Sequence, residues 1–197
     1  TGSSDMSFDL ELIGEVGGTV SNAAPTPGSR NRSYSLKSPP QLRQVKHGPV
    51  EREQEKDKTI RSGEEVLVSV KATDPEGVAQ VMLEYQIVKP GDYIEYDDQR
   101  YNSDWVVLEM VDDGTRGDAT AADDTFSVII PTSVQKNRHL IRYRILATDV
   151  SGVSIRGPYE NDMGYNFAYF VYDGTPDWSG SARSNGQKTT FPGSLMS

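Results

Sequence analysis

From Glu65 to Val171, apolar side chains return at every second position in short runs that break at turn residues. Val66, Val68, Val70 and Ala72 point one way, and Leu67, Ser69 and Lys71 the other. Val81, Leu83, Tyr85 and Ile87 repeat the pattern, followed by Val106, Leu108 and Met110, then Phe126, Val128 and Ile130. Ile141, Tyr143, Ile145 and Ala147 make a further row, and Phe167, Tyr169 and Val171 the last. A period of two puts alternate side chains on opposite faces of a pleated strand, so each run predicts a strand with one buried and one mostly solvated face. Gln41–Lys46 alternates as well, with Leu42 and Val45 inward. Turn chemistry closes the runs at Asp74-Pro75-Glu76-Gly77, at Pro131 and at Asp149-Val150-Ser151-Gly152. About seven strands with no long helix is the profile of an all-β sandwich.

Composition sets the limits of that domain. The chain has 197 residues and 35% hydrophobic content, and residues 14–62 and 174–197 are poor in large apolar side chains. Only residues 41–173 carry enough of them to close a core. The expected division is therefore an N-terminal extension over 1–39, a β-sandwich over 40–173, and a Gly/Ser-rich tether over 174–197. Within the first segment Phe8–Ile13 alternates like one short strand, and Pro25-Thr26-Pro27-Gly28 and Pro39-Pro40 punctuate an extended linker. Residues 47–63, charged around Glu51–Lys58, read as a solvated loop. The start at Thr1, without a signal peptide, reads as an internal fragment or processed form.

Net charge is −9, which argues against a nucleic-acid partner because phosphate binding needs a cationic face. Cations, basic surfaces and neutral glycans stay open. There is no cysteine, hence no disulfide framework, thiolate zinc site or cysteine nucleophile. No apolar run approaches the ~20 residues of a membrane-spanning helix.

Two segments carry candidate sites. Asp112–Asp124 packs five aspartates and two glycines into thirteen residues. Crowded carboxylates repel one another unless a cation or hydrogen-bond donors relieve them. Asp112, Asp113, Asp118, Asp123 and Asp124 are hard oxygen ligands for calcium, with Gly114 and Gly117 permitting a tight wrap; the spacing is not that of an EF-hand. The alternative is a solvated turn whose Asp side chains cap backbone N–H groups. Arg116-Gly117-Asp118 also spells an integrin-read tripeptide, which a loop of this composition contains by chance. The second segment surrounds Lys89–Asp104. Trp105, Tyr93, Tyr96 and Tyr101 lie near Asp92, Glu95, Asp97 and Asp98, a set able to stack on and hydrogen-bond a glycan. Against this, Trp105 would pack on the rim of the core while the tyrosines shield a sheet edge. Neither His47 nor His139 sits in a metal or triad pattern, no phosphate loop or nucleophile elbow occurs, and paired carboxylates would need a cleft that a thin sandwich rarely provides. The chain is not expected to be an enzyme by itself.

Leu140–Ser154 (LIRYRILATDVSGVS) resembles the penultimate strand and turn of a fibronectin type III or related immunoglobulin-like module, in which a tyrosine at the Tyr143 position packs its ring in the core. Pro25–Asn31 resembles the closing segment of a bacterial lamin-tail domain, with Phe8–Ile13 similar to a strand before it. Pro39–Val45, Val70–Tyr85, Asp112–Asp124 and Asn166–Trp178 resemble the immunoglobulin-like module that follows, and Phe191–Met196 the approach to a spore-coat-H-type kinase-like domain. The resemblance implies a connector in a large secreted or surface protein of environmental bacteria. It implies extracellular location, neighbouring domains of the same polypeptide as partners, and a spacer role that calcium could stiffen. Two alternatives are a carbohydrate-binding module using Trp105 and the loop tyrosines, and a part of an enzyme whose catalytic domain lies outside this chain.

Overall fold

The computed structural model describes residues 38–51, 59–159, 162–181 and 184–193. The expected strand Phe8–Ile13, the linker before Lys37 and most of the charged run Glu51–Lys58 lie outside the described residues. The fold is all-β. One sheet has the order β1 (Gln41–Pro49), β2 (Val66–Thr73), β5 (Thr125–Ile130); the other has β4 (Val106–Met110), β3 (Val78–Val88), β6 (Leu140–Asp149), β7 (Ser154–Gly157). β8 (Phe167–Phe170) pairs with the first half of β6 at Leu140–Tyr143, and β7 with its second half at Ile145–Thr148, so two short strands together line the edge away from β3. All these pairings are antiparallel. A separate ribbon, β9 (Trp178–Gly180) with β10 (Thr189–Phe191), joins neither large sheet.

The alternation in the sequence explains the core. Every even position of β2 from Val66 to Ala72 is fully buried, as are Leu83, Ile130, Ile141, Ile145 and Ala147, and the two large sheets share this one core. Tyr143 is buried in it beside Phe167 and Tyr169. Several expected inward positions are only partly buried, Ile87, Leu108, Phe126 and Phe167 among them, and two more differ for local reasons. Val106 is 46% exposed, because β4 is an edge strand and its first residues overhang the core. Val45 is only partly buried, since Gln44 takes φ 52° at a bulge between Arg43 and Lys46 and the strand changes register there.

β1 is tied to both sheets. It ladders with β2, and the Tyr159 hydroxyl accepts from Leu42 N (2.9 Å) and donates to Leu42 O (2.9 Å). His47 Nδ1 lies 2.9 Å from the Tyr143 hydroxyl across the core. Burial lowers the His47 pKa, which favours the neutral imidazole able to accept that bond.

Candidate functional site

The acidic loop connects β4 to β5 and so crosses from one sheet to the other. It folds back over the outer face of the first sheet. Gly117 sits on Leu67 and Ile129, where an added Cβ would lie 2.4 Å from Leu67 Cδ1, and its φ is +93°, so only glycine suits both the contact and the conformation. Arg116, Ala122 and Asp124 are also left-handed, at φ 51°, 59° and 66°.

The loop's carboxylates close the turn. Asp112 accepts from the N–H groups of Asp123 (3.1 Å) and Asp124 (2.9 Å) through its two oxygens. Asp113 accepts from Thr115 N and its hydroxyl, Asp118 from Gly114 N, and Asp123 from Thr125 N. The Thr115 hydroxyl is the main reason the Asp113 carboxyl titrates below its ordinary value. These are the capping bonds of the turn reading. They do not use up the oxygens of Asp112, Asp118 and Asp123, each bonded one of which accepts a single bond and keeps a second lone pair. Asp112, Asp118 and Asp123 present carboxylate oxygens within 4.8 Å of one another; Asp113 and Asp124 stand outside that group. Asp118 is buried and its carboxylate turned into the loop, so Arg116-Gly117-Asp118 does not display its acid.

A second acidic group was not legible as a unit in the sequence. The turns after β2 and after β6 meet because Val78 pairs with Asp149, which brings Asp74, Glu76 and Asp149 within 4.8 Å. Asp149 is 1% exposed. Burial raises its pKa, but the bonds from Val153 N and the Ser151 hydroxyl, with the backbone N–H groups of Ser151 and Gly152, outweigh it and leave the pKa lowered. Asp74 Oδ1 accepts from Glu76 N, while Oδ2 is sealed from solvent without a hydrogen-bond partner among the described residues.

Residues 89–105 lie back on the outer face of the second sheet, with a five-residue helix, α1 (Gln99–Ser103), capped by Asp98. Val88, Ile94, Tyr101 and Leu140 form a small second core there. Arg142, paired in register with Gln86, is buried beneath it; Nε donates to Gln86 Oε1 (2.9 Å) and Nη2 to Ile94 O (2.7 Å). Trp105 is engaged on both counts: its Nε1 donates to Tyr101 O, and the Arg144 guanidinium, ion-paired with Glu84, lies 3.7 Å from its ring centroid. Tyr93 and Tyr96 are 65% and 62% exposed, and Tyr165, from the turn before β8, packs on Tyr96 at 4.7 Å between centroids. Tyr165 lies some seventy residues from Tyr96 in sequence, and no spacing signal links the two.

A shallow groove of about 500 Å³ runs between β1 and the acidic loop, lined by Val45–Val50, Leu67, Ser69 and Gly117. Compared with models of known protein families and with curated proteins, the chain matches none.

Proposed function

We propose that residues 40–173 form an immunoglobulin-like module of the fibronectin type III kind, acting as a non-catalytic spacer between neighbouring domains of a bacterial surface or secreted protein. The partition of strands supports this reading: first, second and fifth in one sheet, third, sixth and seventh in the other, as in the immunoglobulin plan, with β4 as an added edge. The observation that carries the spacer role is the double anchoring of β1. The strand by which the chain enters is laddered to β2, meets Tyr143 of β6 through His47, and is bonded to Tyr159 just after β7, so load applied there spreads into both sheets.

Two measurements test it. Residues 40–173 alone should melt cooperatively within about 4 °C of the whole chain, the shift that roughly 1 kcal/mol produces in a domain of this size. Donor and acceptor fluorescent proteins fused to its two ends should report one narrow transfer efficiency. A distribution as broad as that of a flexible Gly/Ser linker of equal length would sink the spacer reading.

In the same proposal, calcium held by Asp112, Asp118 and Asp123 clamps the crossing between the sheets. Calcium at about a hundredfold excess over its dissociation constant should then stabilise the fold by about 2.7 kcal/mol relative to EDTA, a rise of about 10 °C in melting temperature. Asp112→Asn should abolish that rise. Equal melting curves in calcium and EDTA would remove the clamp and leave the capped turn, with the spacer reading untouched.

A further inference from the structure

Tyr93 and Tyr96 of the 89–105 segment are exposed and acidic in setting. Tyr101, buried, anchors them: Asn166 Nδ2 donates to its hydroxyl (2.8 Å), Trp105 to its carbonyl, and Tyr96 packs 5.1 Å from its ring. Tyr165 packs on Tyr96 from a different part of the chain. Arg142, bonded to Ile94 O, fixes the segment from below, and Arg100 braces it from the side through Asp92 and Asp98. A surface fixed in this way loses little conformational entropy when a partner settles on it.

Charge restricts that partner. Glu95, Tyr96 and Asp97 are consecutive exposed residues, and among the described residues neither carboxylate has an ion-pair partner. The whole chain carries −9, so a phosphate-rich or uronate-rich ligand would meet repulsion. Two rings of this segment already share one guanidinium within the fold: Arg142 lies 5.0 Å from the Tyr101 centroid and 5.8 Å from that of Tyr93. Electron-rich ring faces beside free carboxylates attract a cation through both its charge and its flat stacking surface.

We infer that the face formed by Tyr93, Glu95, Tyr96, Asp97 and Tyr165 docks an arginine-rich polypeptide segment. This goes beyond the spacer reading and does not depend on it.

The test is binding of a fluorescent oligoarginine peptide to the full chain, followed by anisotropy over a salt series. Tyr96→Ala with Tyr165→Ala, and separately Glu95→Gln with Asp97→Asn, should each weaken binding about tenfold, from lost cation–π contacts in one case and lost charge in the other. Glu51→Gln with Glu65→Gln removes two exposed charges beside the first sheet and should leave affinity nearly unchanged. Oligolysine should bind more weakly than oligoarginine. Tyr165→Ala alone, at an exposed position, gives a second variant should the double one fold poorly. Equal losses from both charge-removing pairs would mean diffuse attraction to an acidic protein and overturn the site. So would an unaffected tyrosine variant, or tyrosine-dependent retention on a neutral polysaccharide without peptide binding, which would make the face a sugar platform.

Discussion

Replacing Tyr143 with alanine is expected to cost about 3–5 kcal/mol of unfolding free energy, the range for removing a buried aromatic ring. Tyr143 is 1% exposed at the centre of β6. Its ring lies 5.3 Å from Phe167 and 6.4 Å from Tyr169 by centroid, with His47 edge-on at 5.8 Å. Truncation leaves a cavity between the sheets that these rings, fixed on paired strands, cannot refill. It also removes the hydroxyl that meets His47 Nδ1. Tyr143→Phe separates the two parts: it keeps the ring, loses the bond, and should cost about 1 kcal/mol. Burial pushes the phenol's pKa up, so the hydroxyl stays neutral throughout the physiological range and titration does not complicate the comparison. Denaturant melts of the two variants give both numbers. A loss below about 1 kcal/mol for the alanine variant would show that the ring is not part of a close-packed core.

Arg142→Ala should be the next most damaging change, costing on the order of 3 kcal/mol, because it strands two buried acceptors at about 1–3 kcal/mol each. Those acceptors are Gln86 Oε1, on a side chain 1% exposed, and Ile94 O. The loss should be local in its first effect. Residues 89–105 would lose one of the two side-chain bonds that tie them to β3 and β6, the other being Gln86 Nε2 to Arg100 O, and their amides should exchange with deuterium much faster, while β2 and β5 stay protected until global unfolding. Arg142→Lys should not rescue the segment, since an ammonium lacks the planar fork that meets a side-chain amide and a main-chain carbonyl in two directions at once. Unchanged exchange over residues 89–105 in the alanine variant would dismiss Arg142 as the staple.

The strands were legible because one face of each is apolar and the other is not. Val66, Val68, Val70 and Ala72 alternate without a break, and all four are fully buried. Met110 and Phe126, read as the flanks of the acidic loop, belong to the strands that flank it. β7 was not legible: Ser154–Gly157 offers one partly buried apolar residue, Ile155, and forms a strand because β6 presents an open edge at Ile145–Thr148. Of the site residues, the turn chemistry of Asp112–Asp124 could be read from Asp and Gly content alone, since Asx capping is a local event. Which three carboxylates converge could not, because that depends on how the loop seats Gly117 against Leu67. The meeting of Asp74 with Asp149 depends likewise on the pairing of β3 with β6.

By itself, then, the sequence determined the strands of the two large sheets other than β7, the buried face of most of them, and where the acidic turn lies, because those follow from side-chain alternation and local hydrogen bonding. The tertiary structure alone decided what happens to the outer faces. Gln86 and Arg142 are polar residues on the outward side of their strands, and a period of two reads that side as solvated. Residues 89–105 cover it instead and bury both, leaving Tyr93, Tyr96 and Tyr165 as the new surface. Alternation distinguishes the two sides of a strand; whether the outer side meets water or a folded-back loop is settled by contacts between residues far apart in the chain.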